Sequence, residues 1–166
     1  MVRTILKVIH QLSAIGVMGA LACCVVLVLV APNDSLVEYA ALRQGIAAIT
    51  RWILVPSLLL VLVSGLLAIA ANRAYLNAGW AWSKALLGLL MFEGTLLTIQ
   101  SSATRAAEIA ALAARSGSSD RALLEPLLRT EWAGLWTMLV LSFANIVLAA
   151  WRPRLRRQRS TSADET

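Results

Sequence analysis

Hydrophobic residues in this chain fall into four long runs, at 8–30, 46–71, 82–100 and 132–151. Each reaches or nears the ~18–20 residues that carry a helix across ~30 Å of hydrocarbon. Leu, Ala and Val fill the runs without the alternation that a barrel strand needs. The pattern predicts an all-α fold: an integral membrane four-helix bundle in one domain, residues 1–152. Residues 153–166, basic and then polar, form a tail. The first run follows "MVRTILK" and is longer than the ~7–15 apolar residues of a signal-peptide core, so it is read as a retained first span.

The polar stretches between the runs are unequal. In "APNDSLVEYAALRQG", Ser35 precedes Glu38 at the capping-box spacing and Gly45 offers a stop. This predicts a short helix at the membrane surface over Leu36–Gln44. The stretch 101–132 is rich in Ala and Leu and broken at Ser116–Ser119. The third and fourth spans should therefore continue beyond the membrane as a helical hairpin, an extension of ~15–20 Å at 1.5 Å per residue. Arg105 and Glu108 are spaced to pair on one face of it. Proline predicts a kink in the return arm at Pro126 and a bend in the second span at Pro56.

Composition agrees with the runs. The chain is 59% hydrophobic and 14% charged, with mean hydropathy +0.74. Its net charge of +6 comes largely from "WRPRLRRQR" directly after the fourth run. The basic residues lack interleaved stacking aromatics, so they indicate topology and attraction to anionic lipid, with no nucleic acid as partner. Nine of the fifteen Lys and Arg fall on the side shared by both termini and the middle loop, against six on the other. The termini are therefore expected in the cytoplasm. Trp52 and Trp132 mark one interface; Trp80, Trp82 and Trp151 mark the other.

Small residues at Gly16, Ala20 and Cys24, and at Ser57, Ser64, Ala68 and Ala71, suit close helix packing. Cys23 and Cys24 project about 100° apart on a helix, which disfavours a bond between them. With Met18, Met91 and Met138 they could offer soft ligands to copper(I). No Cys-x-x-Cys or Met-x-x-Met spacing supports that, so packing is the preferred reading and no metal site is assigned.

Two charges interrupt the third span. Lys84 and Glu93 are nine residues apart, about 900° on a helix, and so lie on opposite faces. Lys84 shares its face with Gly88, Thr95 and Ser102, and can extend its ammonium to the interface. Glu93 shares its face with Gln100. It is expected either to be protonated or to hydrogen-bond across the bundle to Ser142 or Asn145 of the fourth span. The single histidine, His10, begins a stripe with Ser13, Ala14, Val17 and Leu21. If that stripe faces the bundle, His10 points at a mouth that Lys84 also reaches.

His10, "VPSLLLVLVSGLLA" and "GWAWSKALLGLL" together resemble the copper-resistance D (CopD) and HemJ-type family of small bacterial membrane proteins, and equally a related four-span family with no assigned function. The likeness covers residues 6–24 and 52–99. It implies the bacterial inner membrane, a b-type haem held by His10, and Lys84 or Arg73 beside the propionates. With one histidine, such an iron would be five-coordinate, take another sixth ligand, or be shared across a homodimer. Two functions stand: a non-enzymatic accessory or scaffold subunit among other membrane subunits, and a haem-dependent oxidoreductase using His10. The first is preferred, because the family motifs are short.

Overall fold

The structure is a computed structural model, and it describes residues 2–31, 35–72, 78–116 and 121–150. These form four helices and, among the described residues, no strand: α1 (Val2–Leu29), α2 (Leu36–Ala70), α3 (Gly79–Ser116) and α4 (Arg121–Ala150). All four are long and apolar enough to cross a membrane. Large apolar side chains point outward around them, with Leu12, Leu97, Val140 and Phe143 all exposed. That surface suits lipid.

Neighbouring helices run antiparallel. His10 and Gly16 of α1 meet Ser64 and Ser57 of α2; Gly94 and Thr98 of α3 meet Met138 and Gly134 of α4. One end of the bundle thus holds the start of α1, the close of α2, the start of α3 and the close of α4 (the terminal end). The opposite end, where α1 and α3 close and α2 and α4 begin, is the loop end. The core runs along the axis through Leu21, Cys24, Ile46, Leu54, Met91, Leu135 and Met138. Helix approach is closest where side chains are smallest. A methyl on Gly16 would stand 2.6 Å from Ser57 Oγ, and one on Gly134 would stand 2.6 Å from Thr98 Oγ1.

Two sequence expectations fail at the loop end. The separate surface helix over Leu36–Gln44 does not exist, because α2 is continuous from Leu36. Ser35 does cap it, with its Oγ accepting from the Glu38 N–H at 3.3 Å, but Gly45 does not stop it. The buried face Ala40, Arg43 and Ile46 passes straight through, and the segment packs extensively on α3. That burial outweighs the ~1 kcal/mol that a helical glycine costs. The other failure concerns Arg105 and Glu108, which form no ion pair; both are exposed, and an exposed pair gains little. The exposed pair present instead is Arg129–Glu125, four residues apart at 2.8 Å.

The loop-end half of α3 is a stripe of small residues. Ala103, Ala106, Ala107, Ala110 and Ala113 are buried, and they let α2 and α4 approach closely. The helices continued beyond the apolar runs therefore number three rather than the expected two. The turn at Ser116–Ser119 falls almost wholly outside the described residues.

Both middle helices widen by one residue at similar depth. In α2 the segment Thr50–Leu54 is π-helical, and the Val55 N–H donates to Thr50 O. Pro56 follows at once; it has no N–H to donate and its ring crowds the preceding turn, so the helix expands there without breaking. In α3 the segment Thr95–Gln100 does the same with no proline. Here Thr98 Oγ1 donates to Gly94 O at 2.6 Å and Ser101 Oγ to Leu97 O at 2.5 Å, side-chain bonds that compete with the helical ladder. Helix α4 continues through Pro126, which lies in its second turn.

Candidate functional site

The most polar part of the interior lies toward the loop end, and sequence reasoning did not find it. Arg43 of α2 and Glu131 of α4 form an ion pair, Nη2 to Oε2 at 2.5 Å, each with 1% of its side chain exposed. Arg43 is carried inward by the Ala40–Arg43–Ile46 stripe; Glu131 sits one turn above the fully buried Leu135 on the same face of α4. Taking two charges out of water is expensive, and only their mutual attraction in a poorly polarisable interior offsets it. Two atoms of the pair, Arg43 Nε and Glu131 Oε1, have no hydrogen-bond partner among the described residues.

One step deeper, Thr50 Oγ1 donates to Ile46 O at 2.9 Å and lies 3.8 Å from the Cys24 thiol, which is placed to donate to it. Thr95, which opens the π-helical segment of α3 as Thr50 opens that of α2, is fully buried, its hydroxyl unpartnered among the described residues. Cys23 is exposed and Cys24 buried, so the adjacent thiols leave α1 on different faces. The described residues contain no group of three or more His, Cys, Asp or Glu able to hold a metal ion.

The residues singled out in the sequence are scattered. His10 is half-buried on α1, and its Nδ1 lies 3.1 Å from Val61 O and 3.0 Å from Ser64 Oγ. A carbonyl only accepts, so Nδ1 carries the hydrogen. Ser64 in turn is anchored to Leu60 O at 2.5 Å. Ser13, Val17 and Leu21, along the His10 stripe, are buried. Lys84 is half-buried and near enough for its charge to act on the His10 ring. Arg73 lies outside the described residues, as do Trp151 and the basic tail.

Of the two alternatives for Glu93, the hydrogen bond across the bundle is not formed. It is exposed on the outer face of α3 and bonds neither Ser142 nor Asn145, whose Oγ and Oδ1 are buried without partners among the described residues. The physical reason lies in the inward face of α3. Met91, Thr95 and Ile99 occupy it at four-residue intervals, which turns Glu93 away from the core. Gln100 is half-buried, its Oε1 unpartnered among the described residues.

Two grooves open on the surface. One of about 390 Å³ runs between α3 and α4 past Gly94, Thr98, Arg129, Thr130 and Gly134. Another of about 500 Å³ follows α3 past Gln100, Thr104, Arg105 and Glu108. Neither is lined by His10. The His10 ring instead abuts α2, its Cε1 3.7 Å from where a Gly65 methyl would stand.

Fold and geometry define the class: a helical bundle with four candidate membrane spans and a buried ion pair. No protein-family model matches the chain, and no curated protein or solved structure is significantly similar to it.

Proposed function

We propose that this chain is a non-enzymatic structural subunit of the bacterial inner membrane, an accessory or scaffold protein whose interior polar groups hold helices together. One observation carries the reading: the buried charges, Arg43 and Glu131, are engaged with each other across α2 and α4. His10 likewise binds a backbone carbonyl and a serine of α2. In this reading the termini lie in the cytoplasm, drawn there by the basic tail. The three-helix extension at the loop end stands on the opposite side, the basic tail meets anionic lipid, and other membrane subunits are the partners.

The test is to replace the pair by apolar residues of similar size, Arg43→Met with Glu131→Leu, and to ask whether the variant complements deletion of the native gene. A folded variant that complements is the expected result. A folded variant that fails would mean that the pair performs chemistry or transport, and the structural reading would fall. Orientation is tested separately in a cysteine-free background. A cysteine at Ser118 should react with an impermeant thiol reagent on intact cells while one at Ser160 should not; the reverse, or equal labelling, sinks the topology.

The haem-dependent reading, carried by the likeness to copper-resistance D and HemJ-type proteins, rests on His10 and two short motifs.

A further inference from the structure

We propose that the lipid-facing side of α2 and α3 is the contact surface of a twofold dimer of this chain, closed by reciprocal Arg51–Glu93 pairs. Glu93 stands alone among exposed leucines, Leu86, Leu90 and Leu97, on the outer stripe of α3. A carboxyl in that position faces hydrocarbon unless another helix supplies a cation or donor. The matching cation is on the adjacent helix. Arg51 is exposed in the widened segment of α2, its guanidinium 5.6 Å from the ring of Trp52, itself exposed. Neither Arg51 nor Glu93 has an ion pair among the described residues.

Their depths agree. Gly134 meets Thr98, so Glu131 stands level with residue 101 of α3, and Arg43 is bonded to Glu131. Arg51 and Glu93 each lie eight residues inward of that level. Counting instead from the Gly88–Leu62 contact puts Arg51 six residues further out, ~9 Å at 1.5 Å per residue. Two extended side chains close a gap of that size. Because α2 and α3 are neighbours, a twofold axis along the membrane normal sets α2 of one copy against α3 of the other. Each Arg51 then meets the partner's Glu93, giving two identical pairs and the same topology for both copies.

The experiment measures energy transfer between donor- and acceptor-labelled full-length chains in bilayers of stepped lipid-to-protein ratio. The parent should dimerise. Glu93→Arg and Arg51→Glu should each weaken association about tenfold or more, and the double reversal should restore it. Should a reversal prevent folding, Glu93→Gln and Arg51→Gln remove the charges more gently and should also weaken association. A monomer at every density, single variants that associate like the parent, or a double reversal without rescue would each overturn the dimer. The proposal extends the structural-subunit reading but can fail alone: a chain that stays monomeric yet holds a different polypeptide through Glu93 overturns the dimer and leaves that reading standing.

Discussion

Two of the helical glutamates, Glu131 and Glu93, meet opposite fates. Glu131 is sealed in protein against Arg43; Glu93, on the next helix, faces outward among leucines. The difference follows from the face of the helix each occupies, since both sit in predominantly apolar surroundings. Glu131 has a cation from α2 within hydrogen-bond reach. Glu93 has none among the described residues. One glutamate is therefore an internal fastener, and the other is a demand on whatever lies beside the protein.

The largest effect should come from breaking the fastener on one side. Arg43→Ala or Glu131→Ala leaves a buried charge unpaired and should cost about 3–5 kcal/mol, read from denaturant unfolding in detergent. Removing both partners together, as Arg43→Met with Glu131→Leu, should lie within about 1–2 kcal/mol of the parent. Equal losses for single and double variants would mean that the pair has no special coupling.

At Glu93 the sign reverses. Glu93→Leu removes a lipid-facing carboxyl for which scales of membrane insertion assign about 2.5–3.5 kcal/mol when it is charged at mid-bilayer. The isolated monomer should be as stable as the parent or more so. A clear loss in the same unfolding assay would place Glu93 in an internal bond and erase the contrast with Glu131.

Gly134 tests whether the close α3–α4 contact below Glu131 positions the pair. Gly134→Val would press on Thr98 and Ile99 and should destabilise by about 1–3 kcal/mol. An unperturbed melting curve would show that the helices move apart freely.

The smallest effect is expected at His10. His10→Ala removes the bonds to Val61 and Ser64 and should cost about 0.5–1.5 kcal/mol. Protein expressed with ample haem should be colourless; a Soret band lost in His10→Ala would instead make His10 a ligand and reopen the oxidoreductase reading.

The four spans were legible in the sequence because length and apolarity are local properties. So were the Ser35 cap and the small residues at Gly16, Ala20 and Cys24. The expansion at Pro56 was half legible: a disturbance was expected, and its π-helical form depended on neighbours that keep the helix continuous. Nothing in the sequence marked Arg43 or Glu131, 88 residues apart and each beside a polar connection. Arg43 reads there as one of several exposed charges between spans.

Helical periodicity determined which residues share a face: Glu93 with Gln100, Lys84 opposite both. Only the packed bundle decided which face turns inward. In a soluble helix the apolar side announces the core, because the other side must meet water. In a membrane helix lipid is as apolar as the protein interior, so the hydrophobic pattern carries little information about rotation. The rotation of α3 is set by the fit of Gly94, Thr98 and Ile99 against Gly134 and Met138. That fit is a contact between segments some forty residues apart, and it turned Glu93 out to the lipid while Glu131 was drawn in to Arg43.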